Sequence, residues 1–427
     1  MINFGGIDLR HIYIHTSPTT SQLPSHRHNP QLSTLTNVHR RRQCHSNNPP
    51  TAAPQSLQNP THRSPPSPLS FQPTHQLHPH PRHSPSKLRY DIYGPLLLLP
   101  PTSPLTTEPW STYISILPPS IQSSLYSSLA KSLNTTHIAI NAPIPAKSTN
   151  DGNLIRSPQI TPLYGSFGSY DSTEFNSVFW TSTSQHGIFQ TWCPLHTMFS
   201  RGNITEKARI YEIVSRQLNG TGRPSGRKTA AVDLFVGIGY FAFSYLKAGV
   251  DVVYGWDINR WSIEGCRRGA VGNKWGVKVG TTDACESKEK GGERLVIFEE
   301  SNEYAPTRLR KVKEEMESDG REWPHVMHVN LGLLPTSEGS YKTALEVLRL
   351  NDGSEDSWVH VHENVAKSDV EDMKADIIRK FEELSVEVGI VGTVEVICEH
   401  VEFVKSWAPR VWHCVFDVKI GRRRIIE

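Results

Sequence analysis

TAAVDLFVGIGYF, residues 229–241, is a continuous run of small and β-branched apolar residues that ends on two glycines. Such a run, without polar alternation, describes a strand buried on both faces. Gly237 and Gly239 at its end mark a tight turn where the backbone can approach a ligand closely. The segment YFAFSYLKAG (240–249) has helical spacing, so a helix N-terminus opens onto that turn and favours the polar groups of a ligand there. VDVVYGWDIN (250–259) reads as a second strand and RWSIEGCRRGAVGN (260–273) as a second helix, and this alternation predicts a parallel sheet covered on both faces. Asp257 lies 20 residues after Gly237, at the end of the second strand, where a carboxylate accepts both hydroxyls of a ribose. NAD and S-adenosylmethionine both present that ribose. Ala242 stands where a third glycine would complete GxGxxG, and the DLFxGIGYF context differs from the pyrophosphate fingerprint.

Working outward, RLVIFEESN (294–302) and HVMHVNLGLLP (325–335) add two strands. The second runs into a Gly-Leu-Leu-Pro turn, in a position where similar sheets carry catalytic groups, yet Glu338 is the one general base it offers. Residues 369–384 form a helix, with a capping box at Ser368 and Glu371 and an apolar stripe of Val370, Met373, Ile377, Phe381 and Leu384. The end of the chain, 393–420, reads as a β-hairpin turned at 407–410. Upstream, LRYDIYGPLLLLP (88–100) and THIAINAPIP (136–145) are strand-like, and PSIQSSLYSSLAKSL (119–133) is helical. A further helix begins after Asn203, whose side chain with Glu206 approaches the capping-box pattern, and Ile204, Ala208, Tyr211 and Val214 or Ile213 are expected to face the core. NGTGRPSGRK (219–228) is a loop.

Residues 1–90 contain a single acidic side chain, Asp8, eleven of the twenty histidines and repeated Pro-Pro, Ser-Pro and His-Pro pairs, a composition that cannot repay chain ordering. A disordered tail over 1–87 is expected, with an organelle transit peptide as the other reading of an acid-poor, Arg- and Ser-rich segment. The remaining chain divides into a small mixed α+β domain at 88–190 and a larger α/β domain at 191–427. Residues 1–230 carry 19 Lys and Arg against 8 Asp and Glu, and residues 231–427 carry 26 against 34, so a basic front half meets an acidic back half. That layout suits a polyanion held at one end, although a basic tail alone yields the same balance. The six cysteines form no CxxC pair, which fits a reducing compartment and argues against a zinc site. LLLL at 96–99 is far too short to cross a membrane, for which about 20 apolar residues are needed.

DLFVGIGYF (233–241), MFSRGNITEK (198–207), NLGLLPTSE (330–338), HVHENV (360–365) and VKSWAPRVWHCVFDV (404–418) together resemble the tRNA wybutosine-synthesising protein 2 family. The resemblance spans roughly residues 88–427 and is strongest from 191 onward. It implies a Rossmann-like, class I methyltransferase-type parallel sheet with a C-terminal antiparallel hairpin. It implies a cytoplasmic, monomeric enzyme that moves the 3-amino-3-carboxypropyl group of S-adenosylmethionine to 4-demethylwyosine at position 37, in the anticodon loop of tRNA(Phe). The sister family of tRNA guanine-37 N1-methyltransferases shares the architecture but carries a shorter Asn-Leu-Pro turn than the one at 330–335, and methyl transfer is the alternative activity. An RNA-binding protein on a decayed cofactor fold is a second alternative, disfavoured because Gly237, Gly239 and Asp257 remain.

Within the resemblance, Ser200 and Lys207 of the SRGNxxEK motif are assigned to the donor, and Lys207 supplies a point charge for a carboxylate. Without the resemblance, Lys207 reads as a solvated helix-surface residue. Arg201 and Asn203 either meet the acceptor base or cap the helix. The adenine contact falls on Asn302 beside Ser301, with Glu300 in reserve, where the family usually shows an Asp-Asn pair. Asn330 and Pro335 bound the turn that shapes the reacting pocket, and His362 with Glu363 is placed near the acceptor. His360 and His362 share a strand face, but no third ligand stands at a useful spacing and no metal is expected. Lys405, Arg410, RLRKVK (308–313) and GRRR (421–424) are phosphate contacts or solvated charge.

Overall fold

The computed structural model describes residues 88–141, 158, 160–220, 227–280, 292–390 and 394–422. The expected tail at 1–87, most of the 219–228 loop and the end of GRRR lie outside them. All described residues belong to one compact unit, 85–427.

The chain opens with β1 (Asp91–Tyr93) and β2 (Leu96–Leu99), continues through α1 (Trp110–Ser115) and α2 (Pro119–Ser132), and returns to β3 (His137–Ile140) and β4 (Thr161–Tyr164). These strands form a mixed four-stranded sheet in the order β1-β2-β3-β4. A two-stranded hairpin follows, β5 (Thr181–Gln185) and β6 (Ile188–Trp192), and then α3 (Ile204–Asn219).

The large sheet is built from β7 (Thr229–Asp233), α4 (Ala242–Ala248), β8 (Val252–Asp257), α5 (Arg260–Gly272), β9 (Gly276–Gly280), β10 (Glu293–Glu299), α6 (Ala305–Ser318), β11 (His325–Leu331), α7 (Tyr341–Leu348), β12 (Ser357–Ala366), α8 (Val370–Glu387), β13 (Val394–Ala408) and β14 (Val411–Arg422). Its eight strands run in the order β13-β14-β12-β11-β7-β8-β10-β9. The pairs among β12, β11, β7, β8, β10 and β9 are parallel, while β14 is antiparallel to both β12 and β13. All five residues of β7 are buried, as a central strand with helices on both faces requires. Helices α6, α7 and α8 cover one face through Leu309, Leu345, Ile377 and Phe381. Helices α3, α4 and α5 cover the other through Ile210, Val214, Phe243, Leu246 and Ile263.

Beyond β7 the chain steps to one side, through β8 to β10, and then crosses back to place β11 on the other side. The crevice outside the C-terminal ends of β7 and β11 is therefore a topological switch point, where open α/β sheets bind ligands. The glycine turn and the 330–335 turn both open there.

Two helix starts differ from expectation. Asn203 precedes α3 without a side-chain cap, and Glu206 is taken by Arg209 instead of reaching back to the cap. Ser368 bonds Asp369 at 2.6 Å, and α8 starts at Val370 with no side-chain cap. The buried stripe of α3 is also rotated from the expected one: Glu206, Lys207, Ile210, Val214 and Leu218 face inward, because internal partners satisfy the two charged residues.

Candidate functional site

The turn after β7 is shaped by left-handed backbone at Gly237 (φ 52°) and Gly239 (φ 86°). A Cβ on Gly239 would lie 2.4 Å from the ring of Phe243, a buried core residue, so only glycine fits. The C-terminal ends of three other strands are tied to this turn. Asp257 accepts the amide of Gly237 at 3.0 Å and that of Asn259 at 2.7 Å, which holds its carboxylate at the strand end. Asn302, in the first turn beyond β10, donates to the carbonyl of Leu234 at 3.1 Å. Asn330, at the end of β11, donates through Nδ2 to Asp233 Oδ1 at 3.1 Å, and its carbonyl accepts from the amide of Leu234 at 3.1 Å. Asp233 is fully buried, and burial pushes its pKa up to about 6.

Tyr240 joins the segment before α3 to the turn. Its hydroxyl donates to the carbonyl of Met198 at 2.5 Å and accepts from the amide of Ser200 at 3.1 Å. Lys207 is buried rather than solvated, which overturns the surface reading. Its Nζ donates to Gln185 at 2.5 Å and Gln190 at 2.8 Å, both on the β5–β6 hairpin, and lies 5.3 Å and 5.7 Å from the ring centres of Phe199 and Tyr240. No carboxylate is among these contacts, and burial lowers its pKa to about 7. A cavity of about 240 Å³ opens beside it, lined by Gln185, Gln190, Lys207, Tyr211, Tyr240 and Lys247 among others.

Helix α3 is pinned to the sheet one turn further on. Arg209 bonds Glu206 at 2.7 and 2.8 Å and Asp417 of β14 at 2.5 and 3.1 Å, and Asp417 accepts from His360 Nδ1 at 2.7 Å. Burial raises the Asp417 carboxyl, but His360 and Arg209 outweigh burial and hold it well below the usual carboxylate range. His360 also meets His328 at 3.0 Å, so it is engaged on both ring nitrogens. Among the described residues no group of three His, Cys, Asp or Glu could hold a metal, and no helix is long and apolar enough to cross a membrane.

The remaining candidates are spread around this centre. Ser200 also accepts from Lys405 of β13 at 3.4 Å, whereas Arg201 pairs with Asp91 of β1. Ser301 caps the turn of Asn302–Tyr304 by accepting the amide of Glu303 at 3.4 Å, and Glu300 is occupied by Arg308 and Trp256. His362 is buried, bonded to His413 at 2.9 Å and edge-on to Phe241, and burial drives its pKa well down. Pro335 follows a cis peptide bond, and its carbonyl accepts from the amide of Asn364 at 2.8 Å. Glu363 points to the other face of β12, toward Thr336, Ser337 and Tyr341. RLRKVK lies on α6, where Leu309 packs in the core and Lys313 donates to the carbonyl of Leu350.

The sequence reading missed Tyr240, Gln185 and Gln190. The aromatic in GIGYF was a usable signal for the first, while the glutamines sit in a polar hairpin that carries none.

The chain is 37% identical over 340 residues to a Schizosaccharomyces pombe protein named tRNA wybutosine-synthesizing protein 2, covering 78% of this chain and 72% of that one. The chain belongs to the tRNA wybutosine-synthesizing protein 2 family. A Saccharomyces cerevisiae protein of the same name is 32% identical over 67% of this chain and 60% of its own length. A solved structure described as P. horikoshii TYW2 in complex with MeSAdo is a looser likeness, at 17% identity and a TM-score of 0.48, covering 78% of this chain and 91% of that one. No protein-family model matches. As a member of this family the chain is an S-adenosylmethionine-dependent transferase in tRNA modification. The residues present fit that donor: a left-handed glycine turn at the end of β7, a strand-end carboxylate at Asp257, and a buried amine at Lys207 whose contacts among the described residues include no carboxylate.

Proposed function

We infer that this chain transfers the 3-amino-3-carboxypropyl group of S-adenosylmethionine to a carbon of 4-demethylwyosine at position 37 of tRNA(Phe), in wybutosine synthesis. The likeness to the S. pombe relative across most of both chains carries the reading. The donor's sulfonium activates each carbon attached to it, so the protein needs no strong acid or base. What it must do is choose which carbon stands in line with the nucleobase, and orientation of that kind contributes several kcal/mol of barrier.

Each side chain then has a role. Asp257 accepts the ribose hydroxyls, while Asn302 and Ser301 border the adenine. Lys207, with Ser200, anchors the carboxylate of the transferred arm, exchanging its glutamine partners for a charge-assisted bond. Asn330 and Pro335 bound the turn that shapes the pocket, and Arg201 exchanges Asp91 for the anticodon loop. His362 supports Phe241 from behind, as a neutral ring. Cys193, Cys266, Cys398 and Cys414 are free and buried, in keeping with a cytoplasmic chain, and the reading takes it to act as a monomer.

The test is incubation with S-adenosylmethionine and tRNA from cells stalled at 4-demethylwyosine. Addition of the four-carbon arm to the base is expected. Addition of a methyl group would identify the chain as a methyltransferase instead.

A further inference from the structure

One carboxylate oxygen in this molecule has four donors. Oε1 of Glu363 accepts from Thr336 Oγ1 at 3.0 Å, Ser337 N at 2.9 Å, Ser337 Oγ at 3.3 Å and Tyr341 Oη at 2.9 Å. Glu363 is buried, and no cation is among these partners. All four donors lie just beyond the 330–335 turn, and the next residue, Asn364, holds the turn's last carbonyl at Pro335. At its other end the same turn is held by Asn330 on Asp233. Between the two anchors lie Gly332, where a Cβ would stand 3.1 Å from Asn330 Nδ2, the half-buried Leu333 and the buried Leu334.

A buried carboxylate without a cation is costly, and an apolar residue of similar volume fills such a site without the desolvation penalty. A stability role alone does not explain Glu363. A geometric one does, because a single oxygen gathering a backbone amide and three hydroxyls fixes where the descending limb of the turn runs.

We propose that Glu363 is a positioning residue that sets the exit of the 330–335 turn and so selects aminocarboxypropyl over methyl transfer. This rests on the reading that the chain transfers the arm and that the turn shapes that choice. In the selected reaction the bond between sulfur and the arm's γ-carbon breaks, a carbon–carbon bond to the base forms, methylthioadenosine leaves and the proton of the base carbon passes to solvent. In the rejected one the bond from sulfur to methyl breaks, a bond from that methyl to the base forms, S-adenosylhomocysteine leaves and the base's proton passes to solvent. Glu363 touches neither.

The experiment compares Glu363→Ala, Glu363→Gln and a chain lacking Leu333 and Leu334, reading the ratio of methylthioadenosine to S-adenosylhomocysteine released with tRNA. For Glu363→Ala a fall in that ratio of roughly ten- to a hundred-fold is expected, as for a misplacement of about 1 Å, with tRNA affinity retained. Glu363→Gln keeps an oxygen for the donors and recovers part of the ratio. An unchanged ratio in folded Glu363→Ala, beside a changed one in the deletion, overturns the role of Glu363 and leaves the turn's role standing. An unchanged ratio in both overturns the underlying reading of the turn. If Glu363→Ala does not fold, Thr336→Val combined with Tyr341→Phe removes two donors, and its ratio decides in the same way.

Discussion

Replacing Lys207 with methionine separates the cost of this residue from its use. Burial lowers the pKa of its amine from 10.5 to about 7. The folded chain thus holds this proton less tightly than the unfolded chain, by about 3.5 pH units, or about 5 kcal/mol of strain once the amine is charged. The sign follows: the cost is fully present below pH 7 and fades as pH rises toward 10.5. Methionine removes the charge but leaves the buried Gln190 without its donor, which costs about 1–3 kcal/mol. Lys207→Met is therefore expected to be more stable than the native chain at pH 6 by about 3 kcal/mol. At pH 9 the remaining charge penalty is about 2 kcal/mol, and the two chains should nearly match. Urea unfolding of both chains at pH 6, 7.5 and 9 without donor measures the gap, and other titrating groups cancel in the difference. The same variant should raise the KM for S-adenosylmethionine roughly ten- to a hundred-fold, the value of one charge-assisted bond. A gap independent of pH, or a variant less stable than the native chain at pH 6, would refute the account of a strained amine awaiting a carboxylate.

Three further outcomes follow from the same geometry. Gly239→Ala forces a side chain into left-handed backbone and against Phe243, so a loss of about 2–5 kcal/mol in chemical unfolding is expected, together with loss of donor binding in calorimetry. Asp417→Ala strips Arg209 and His360 of a buried partner and should cost about 3–5 kcal/mol by urea midpoint, loosening α3 and with it the grip of Lys207 on the donor. Affinity for tRNA should fall steeply between 50 and 200 mM salt while donor affinity stays nearly constant, as filter binding and calorimetry would record.

Much of this organisation is legible in the primary structure, for reasons that differ by region. The strands of 229–257 announce themselves because a central parallel strand must be apolar on both faces, and glycines followed by a strand-end Asp leave few alternatives for the turn. The terminal hairpin is equally plain, since long β-rich runs flank a Pro-Arg pair and Arg410 adopts φ 67° in the turn. The face of α3 is not readable in this way. Its inward residues include Glu206 and Lys207, whose burial depends on Asp417 about 200 positions away and on two glutamines in a short polar hairpin. Glu363 is hidden for a related reason: its motif places it beside His362, but strand pleating sends neighbours to opposite faces, and its partners lie between the 330–335 turn and the start of α7, a segment that only the fold brings close. Apolar periodicity records what is hidden from water. It does not record which polar groups are satisfied by distant ones.

The most direct trial of the whole account is a single-turnover reaction with tRNA stalled at 4-demethylwyosine and S-adenosylmethionine labelled separately in its methyl and carboxyl carbons. Carboxyl label on the base, with methyl label leaving in methylthioadenosine, is the predicted result. Methyl label on the base, with carboxyl label leaving in S-adenosylhomocysteine, would contradict it.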